Sequence, residues 1–284
     1  MVAGAKINLC LRVGALRADG YHEVATVLAA LALGDDVELD PAPATSVEAP
    51  GLPGGDSIVT RALGLLAERT GHAAGWRVRI DKHVPAGAGL GGGSADAAAA
   101  LGLANATLPE PLQARELLAL AAEVGSDVPF FLTGDETALA RGRGELLEPC
   151  PVGAAAWVVV AWPGVPLGTA EVYGRYRPAA DAHERVASLA AEPFATGDVE
   201  QLAGLVENDL AAPAEELCPP CAELRGQLLD CKALAASLSG SGSAVFGVFA
   251  AEEPAQAAFE QLRGRAPWKA IGPLTQARGA TISA

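Results

Sequence analysis

The sequence predicts an α+β protein of two domains. Stretches in which polar and apolar residues alternate, such as "AKINLCLRVG" at 5–14 and "WRVRIDKHV" at 76–84, are typical of half-buried strands. Two helices are predicted in succession after the second stretch, so strands and helices do not alternate as they do in parallel α/β folds. A chain of 284 residues that is 50% apolar can bury two cores. We expect the domains to span 1–150 and 151–284.

The N-terminal domain is predicted to begin as a sheet. "VATVLAALAL" at 24–33 and "DDVELD" at 35–40 predict two strands, with a turn between them at Gly34 and Asp35. "PAPATSVEAPGLPGG" at 41–55 is rich in Pro and Gly and predicts a surface loop.

Capping residues mark the first helix. Asp56 or Ser57 can cap a helix over "IVTRALGLLAERT", which Gly71 ends. The same kinds of signal predict the remaining elements. These are a helix from about Ala95, a helix over 112–124 ended by Gly125, a short apolar segment opened by Ser126 and Asp127, a hairpin over 137–148, a buried strand over 156–162, helices near 169–176, 198–211 and 221–231, two strands joined by a Gly/Ser turn within 234–250, a helix near 253–263 and a strand near 268–274.

Composition narrows the function classes. A net charge of -14 and a pI near 4.7 argue against binding to nucleic acid or to an anionic membrane, both of which favour a basic surface. The apolar runs are about ten residues long, short of the roughly 20 that span a bilayer, and the first residues do not resemble a secretory signal. We therefore expect a cytoplasmic protein.

The cysteines are expected to be reduced thiols. They are odd in number and scattered, which does not suit a disulfide framework: Cys10, Cys150, Cys218, Cys221 and Cys231. "CPPC" at 218–221 contains the one close pair. We interpret this pair as two thiols in a Pro-rich turn rather than as a zinc site or a redox motif.

The strongest functional signal is "PAGAGLGGGS" at 85–94, called the glycine loop below, which leads directly into the helix-forming "ADAAAALGLA". Glycines expose backbone N–H groups without a Cβ in the way, and a helix N-terminus adds unpaired donors and partial positive charge. One or two glycines would suffice for a tight turn. The loop therefore predicts the binding of an anion, and we expect a branched side chain at Gly92 to block the amides and to disfavour a positive φ.

Two other nucleotide-binding patterns match the glycine loop only in part. Gly87, Gly89 and Gly92 satisfy G-x-G-x-x-G, but no second strand with an acid about 20 residues on follows, which argues against a Rossmann oxidoreductase. Gly87 and Gly92 have the outer spacing of a Walker loop, but Gly93 stands where the lysine should be. Phosphate charge is then expected to be met by amides, the helix dipole, a metal near Ser94 and cations from elsewhere.

Three motifs in order resemble the GHMP kinases, the family of galactose, homoserine, mevalonate and phosphomevalonate kinases. They are "AKINLCL" at 5–11, "PAGAGLGGGSADAA" at 85–98 and "LSGSGSAVFG" at 238–247. The resemblance implies a ribosomal-protein-like N-terminal domain, a ferredoxin-like C-terminal domain, and the use of ATP with Mg²⁺. It also implies a set of nucleotide-binding residues, with Ser94 as a metal ligand: Ser57, Lys82, Pro85, Gly87, Gly89, Leu90, Gly91, Gly92, Gly93, Ser94 and Ala95.

Further motifs are similar to one branch of this family, which phosphorylates the 2-hydroxyl of a cytidine diphosphate methylerythritol in non-mevalonate isoprenoid biosynthesis. They are "GLGGGS", "RADGYHEV" at 17–24, "GSDVPFFL" at 125–132 and "AWPGVPLGTAEVY" at 161–173. The match implies Lys6 and Asp127 as the catalytic pair. One carboxylate to orient a hydroxyl and one ammonium to favour its ionised form suit phosphoryl transfer. The substrate residues implied are Asn8, Tyr21, His22, Thr169, Tyr173, Gly240 and Ser241.

Two other functions remain open from the sequence. A GHMP kinase for another alcohol, such as homoserine or mevalonate, would have no use for the cytidine-binding "DGYH". An inactive member could keep the glycine loop as a sensor, although retention of both Lys6 and Asp127 argues against this. The sequence leaves open whether the protein is a monomer or a homodimer.

Overall fold

The computed structural model describes residues 1–52 and 56–274. The strands are β1 (Val2–Leu16), β2 (His22–Ala42), β3 (Ser46–Glu48), β4 (Gly75–Asp81), β5 (Thr137–Gly142), β6 (Leu146–Pro149), β7 (Trp157–Trp162), β8 (Glu207–Asn208), β9 (Ala235–Leu238), β10 (Val245–Phe249) and β11 (Trp268–Pro273). The helices are α1 (Ser57–Thr70), α2 (Gly92–Ala106), α3 (Ala114–Val124), α4 (Val128–Thr133), α5 (Thr169–Arg175), α6 (Ala182–Ser188), α7 (Val199–Ala203), α8 (Ala211–Leu217), α9 (Pro219–Asp230) and α10 (Glu252–Gln261), with a 3₁₀ turn at Glu192–Ala195.

These elements form four layers, helices on sheet on sheet on helices. The first sheet has the order β3-β4-β2-β1-β8, with the β5–β6 hairpin attached to β2, and α1 to α4 cover one of its faces. The second sheet has the order β11-β7-β10-β9. Its inner face packs against the first sheet, where Ile7 and Leu9 of β1 share a core with Val158 and Phe246. The α+β class is as predicted.

The alternation of side chains along β1 places its polar site residues and its core residues on opposite faces of the sheet. Successive side chains of a strand point to opposite sides of the sheet. Ile7 and Leu9 enter the core between the sheets, and Lys6 and Asn8 consequently share the other face. Both polar side chains are buried, so the fold commits them to a defined position.

The predicted turn at Gly34 and Asp35 is wrong, because β2 runs without a break over 21 residues. The pairing of β1 with β2 instead shifts register here: Gly4 pairs with Gly34, whereas Lys6 pairs with Ala30. A Cβ on Gly34 would lie 2.1 Å from the Ala3 carbonyl oxygen. The glycine therefore marks a close approach of two strands rather than a chain reversal.

The predicted ends of α1 are confirmed, and the predicted start of α2 is confirmed only approximately. The Asp56 carboxylate accepts from the N–H groups of Ile58 and Val59 at 2.9 and 3.2 Å, and Gly71 ends α1 in the left-handed region. The second helix, however, begins at Gly92 rather than near Ala95. The low helix propensity of glycine favours a helix start after the glycines, but Gly92 and Gly93 lie in the first turn of α2.

The helix predicted over 198–211 is wrong as a single element. It consists of α7, the short strand β8 and the start of α8. Strand β8 pairs in parallel with Cys10 and Leu11 of β1, so this C-terminal segment extends the first sheet. The pairing gives an extended conformation to residues whose local pattern suggests a helix. Within the segment 41–55 that was predicted as a loop, Ser46–Glu48 form strand β3, and residues 53–55 lie outside the described residues. Helix α6 was not predicted. The remaining predicted elements lie within a few residues of their observed positions.

The described helices, over residues 1–52 and 56–274, include none with both the length and the apolar character needed to cross a membrane.

Candidate active site

A cleft of about 640 Å³ contains most of the predicted site residues. The glycine loop forms one wall, and the start of β1 with the β1–β2 turn forms another. The β5–β6 turn, the beginning of α5 and the Gly240–Ser241 turn complete the lining. Segments that are far apart in the sequence, from residue 6 to residue 241, therefore meet at one opening.

The glycine loop turns its carbonyl groups into the protein. The carbonyl of Gly87 accepts from Leu167 N at 3.2 Å, that of Ala88 from Ala244 N at 2.9 Å and that of Leu90 from Lys6 N at 2.9 Å. The Gly89 carbonyl accepts from both Lys6 Nζ and Ser239 Oγ. Meanwhile the first N–H groups of α2 have, by their position, no acceptor within the helix. This arrangement leaves donors rather than acceptors for an anion.

The conformations of the loop glycines explain why other residues would not fit. Gly87, Gly89 and Gly91 all have positive φ, between 69° and 78°. A Cβ on Gly89 would lie 2.2 Å from the Ser239 carbonyl oxygen, and one on Gly91 2.8 Å from the Phe131 ring. The expected positive φ at Gly92 is wrong, because this residue is the first of α2. At Gly92 a larger residue is limited instead by the space for a Cβ, which would lie 3.2 Å from Val84 Cγ1.

The predicted catalytic pair converges in the cleft. Lys6 Nζ lies 3.7 Å from Asp127 Oδ2 and donates to Asn8 Oδ1 at 2.7 Å and to the Gly89 carbonyl at 2.8 Å. Asp127 occupies the N-cap position of α4, yet its carboxylate accepts no capping hydrogen bond from Val128–Thr133. That carboxylate is 34% exposed, so it can reach a ligand.

The electrostatics of this pair come from burial and from one opposite charge. Burial lowers the pKa of Lys6 below its ordinary value, and the neighbouring Asp127 carboxylate partly opposes this effect. The ammonium group contacts one carboxylate and two neutral oxygens, so it retains positive charge for a further anionic partner.

Three aromatic side chains also line the cleft, those of Tyr21, His22 and Tyr173. The rings of His22 and Tyr173 lie 5.3 Å apart between centroids and are tilted by 36°, while Tyr21 is 52% exposed. Burial lowers the pKa of His22, which favours the neutral ring. Burial, and then the Asp127 charge, raise the pKa of Tyr173, which keeps its phenol protonated. These are flat, uncharged surfaces suited to a planar heterocycle.

The remaining predicted substrate residues lie close to Lys6 or to one another. Asn8 donates from Nδ2 to Thr26 Oγ1 at 2.8 Å while its Oδ1 holds Lys6, so it positions the lysine. The hydroxyl oxygens of Thr169 and Ser241 lie 3.0 Å apart. Gly240 has a φ of 56°, and a Cβ there would lie 3.1 Å from Lys6 Nζ.

Three predicted nucleotide residues do not line the cleft: Ser57, Lys82 and Ala95. Ser57 is exposed at the first position of α1, and Ala95 is buried in α2. Lys82 pairs with the buried carboxylates of Asp35 and Asp96, the second at 2.6 Å. Lys82 therefore contacts α2 directly through Asp96 but does not line the cleft.

Sequence reasoning did not find two further residues of interest. Arg143, in the β5–β6 turn, lines the cleft with its guanidinium 5.0 Å from the centre of the Tyr21 ring. Asn208 donates to the carbonyls of Leu238 and Gly240, both at 2.8 Å, and so holds the Gly/Ser turn in place. The only available signal was "GRG" within the predicted hairpin for Arg143, and none marked Asn208.

The described residues contain no group of three or more His, Cys, Asp or Glu side chains arranged to hold a metal ion. Ser94, predicted as a metal ligand, lies in the first turn of α2 and lines the cleft. Mg²⁺ commonly keeps several waters and is held largely by substrate phosphates. A hydroxyl beside a phosphate-binding loop fits that mode of binding.

The "CPPC" thiols are buried in the protein. Cys221 donates to the Ser243 carbonyl at 3.2 Å, and burial raises the pKa of its thiol. The pair begins α9 rather than lying in a turn, with Pro219 and Pro220 in the first helical positions. A buried thiol with a raised pKa is unreactive, which supports a structural interpretation of Cys221.

Comparisons with known proteins show the family of the chain. The model of the GHMP kinases N terminal domain matches residues 57–135, and that of the GHMP kinases C terminal matches 190–267. The chain is 41% identical over 263 residues to a 4-diphosphocytidyl-2-C-methyl-D-erythritol kinase from Pelotomaculum thermopropionicum, with 90% of each chain covered. It is 43% identical to the enzyme of that name from Leifsonia xyli, over 86% of this chain and 85% of the relative.

Solved structures give the same result. The crystal structure of a 4-(cytidine 5'-diphospho)-2C-methyl-D-erythritol kinase matches with a TM-score of 0.79 at 35% identity, covering 98% of this chain and 99% of the other. A homoserine kinase from Cytophaga hutchinsonii matches with a TM-score of 0.68 at 18% identity, covering 97% and 96%. The second likeness concerns the fold alone.

Proposed function

The chain belongs to the GHMP kinases, and within them to the 4-diphosphocytidyl-2-C-methyl-D-erythritol kinases. From this premise we propose that it transfers the γ-phosphate of ATP to the 2-hydroxyl of 4-diphosphocytidyl-2-C-methyl-D-erythritol. The products are the 2-phosphate and ADP, in non-mevalonate isoprenoid precursor biosynthesis. The single observation that carries the proposal is the approach of Lys6 Nζ to Asp127 Oδ2, at 3.7 Å, beside the glycine loop.

The proposed chemistry assigns one task to each member of this pair. The Asp127 carboxylate accepts the proton of the substrate hydroxyl, and the Lys6 ammonium stabilises the charge that develops on its oxygen. This oxygen forms a bond to the γ-phosphorus as the bond from that phosphorus to the β,γ-bridging oxygen breaks. The bonding electrons leave with ADP. Because such transfer depends chiefly on positioning and electrostatics, two charged groups and a phosphate cradle suffice.

The nucleotide is proposed to bind at the glycine loop, where the inward carbonyls leave N–H groups and the dipole of α2 for the phosphates. Mg²⁺ bound with ATP would neutralise phosphate charge, and Ser94 is the residue we assign to it. The wall of residues 85–94 then holds the donor phosphate facing Asp127 across the cleft.

The acceptor is proposed to bind with its cytosine among Tyr21, His22 and Tyr173. A planar base gains stacking energy on aromatic faces, and a neutral imidazole offers one donor and one acceptor to it. Asn8, Thr169, Gly240 and Ser241 are proposed to contact the rest of the substrate. We also propose a cytoplasmic location, a domain boundary near residue 150 and a monomeric or homodimeric state.

Turnover with a panel of alcohols tests the function. ADP release is measured with ATP, Mg²⁺ and, separately, the cytidine diphosphate substrate, homoserine and mevalonate. We expect turnover of the first alone. Turnover of homoserine or mevalonate instead would favour a different member of the family, and ATP binding without turnover of any alcohol would favour a sensor.

A further inference from the structure

We propose that Arg143 is a specificity-determining residue that binds the diphosphate of the cytidine substrate. This inference rests on the proposed function and adds a contact that neither the motifs nor the comparisons assign. Among the described residues that line the cleft, Arg143 carries the only guanidinium group.

Arg143 lies where the diphosphate of the proposed substrate would be expected. Its guanidinium lies 5.0 Å from the centre of the Tyr21 ring, at the proposed base-binding end. The next residue, Gly144, approaches the transfer end, where an ideal Cβ would lie 3.9 Å from Asp127 Oδ1. Arg143 therefore lies between the base site and the catalytic carboxylate. In the substrate, the diphosphate joins the base-bearing ribose to the reacting alcohol.

The β5–β6 turn holds this side chain in a defined place. Gly142 and Gly144 flank Arg143 with φ values of 73° and 113°, and Gly144 N donates to the Arg141 carbonyl at 2.9 Å. The Arg143 N–H donates to Glu145 Oε2 at 2.7 Å, and Arg143 Nε lies 3.5 Å from Glu145 Oε1. Stacking on Tyr21 and pairing through Nε restrict the side chain, while its two Nη groups remain as donors for a ligand.

Charge supplies the reason for a cation at this point. The chain has a net charge of -14, and the cleft also contains the Asp127 carboxylate. A diphosphate entering such a cleft loses water and meets negative charge unless a cation compensates. The other cation of the cleft lining, Lys6, lies at the transfer end beside Asp127. The planar fork of an arginine suits phosphate oxygens, which it binds in pairs.

The test compares cytidine, cytidine monophosphate and cytidine diphosphate as ligands of the wild type and of Arg143→Gln, by calorimetry. We expect affinity for the diphosphate to fall about 10- to 100-fold, as for loss of a charge-assisted hydrogen bond, with affinity for cytidine unchanged. Arg143→Lys should recover part of the loss. Arg79→Gln, which removes an exposed arginine of β4, is the matched control and should change nothing.

Kinetics separate this role from two others. Arg143→Gln should raise KM for the cytidine substrate while kcat and KM for ATP stay within roughly threefold. Equal losses of affinity for cytidine and its diphosphate would overturn the proposal, because Arg143 would then act only by supporting Tyr21. A fall in kcat with a higher KM for ATP would overturn it in favour of the transferred phosphate, and unchanged values would remove Arg143 from binding altogether. Failure of the wild type to turn over the substrate would instead refute the proposed function.

Discussion

Lys6 and Lys82 both lie next to carboxylates, but one faces the cleft and the other lies outside its lining. Lys6 faces the cleft, with one carboxylate at 3.7 Å and two neutral oxygen acceptors. Lys82 lies outside the cleft lining, between the fully buried carboxylates of Asp35 and Asp96. Burial acts to lower the pKa of both lysines. For Lys6 the net effect is a lowered pKa, whereas for Lys82 the two neighbouring carboxylates outweigh burial and raise the pKa above its ordinary value.

The difference separates a group that is available for chemistry from one that holds structure. Lys82 is saturated by opposite charge, and Asp35 also accepts from the N–H groups of His83 and Val84. This cluster ties β2, the residue that follows β4 and the N-terminal part of α2 together. Lys6 is incompletely neutralised and meets a carboxylate that is one-third exposed. Only Lys6 can act on a substrate directly.

Removal of either charge at Lys6 and Asp127 should give the largest effect. Asp127→Asn keeps the side chain's size but cannot accept the hydroxyl proton, and Lys6→Ala or Lys6→Met removes the ammonium group. We expect kcat to fall about 10³-fold or more in each. Initial-rate measurements at saturating ATP and substrate check this, with circular dichroism to confirm that the variants fold.

Additivity sharpens this first prediction. If the two groups act as one unit, the double variant should lose little more activity than either single variant. A variant of either residue with near-native kcat would remove that residue from the mechanism.

Lys82→Met should chiefly reduce stability. The substitution leaves Asp35 and Asp96 buried without their cation, which costs about 3–5 kcal/mol for a broken buried ion pair. Protonation of Asp96 would limit the cost, so we expect a value near the lower end. Urea unfolding measures the loss, and Lys232→Met, at an exposed lysine, is the control. Unchanged stability with a raised KM for ATP would instead make Lys82 a nucleotide ligand, as the family resemblance implies.

The sequence predicted the members of this site better than their partners. Lys6, Asp127 and the glycine loop were identifiable because each lies in a short contiguous motif whose residue types match its chemistry. The Asp35–Lys82–Asp96 cluster was not, since its members come from three elements and Asp35 was interpreted as a turn residue. The continuous β2 strand that buries Asp35 depends on a register shift opposite Gly4, a long-range event with no local signal.

Long-range contacts also explain why β8 and the position of Arg143 were not predicted. Strand β8 forms because β1 offers a free edge to residues 207–208, which no local pattern records. Arg143 lies in a turn whose glycines predict a hairpin but not what the hairpin faces. Contiguous motifs could therefore identify the residues that carry the chemistry. The elements that orient these residues could not be predicted, because they depend on pairing between segments that are distant in the sequence.

The Asp96 carboxylate of the Lys82 cluster should make stability depend on pH. Burial, opposed by Lys82 and reinforced by Asp35 and Asp56, raises the pKa of Asp96 from 3.8 to about 7. The folded state therefore binds a proton that the unfolded state releases above pH 4, so this group's contribution to the free energy of unfolding falls as pH rises from about 4 to about 7. Its slope is at most ~1.4 kcal/mol per pH unit.

Asp96→Asn measures this contribution, because asparagine keeps the shape and cannot ionise. Urea unfolding of the variant and the wild type at several pH values between 4 and 8 should show a shallower decline with pH in the variant. Parallel curves would mean that Asp96 ionises with an ordinary pKa, and Lys82 would then be neutralised by two permanent charges.

Gly92 connects the two regions and should give the smallest effect. A Cβ there would lie 3.2 Å from Val84 Cγ1 and 3.4 Å from Asp35 Oδ2, so Gly92→Val pushes the first turn of α2 away from the buried cluster. The first N–H groups of α2 move with it, and we expect KM for ATP to rise about tenfold, ~1.4 kcal/mol of binding. Gly64→Val is the matched control, since Gly64 is also helical but has open space around it. If both variants keep the wild-type KM for ATP, the first turn of α2 does not hold the phosphates, and the inward carbonyls of the glycine loop would serve only to pack it against the protein.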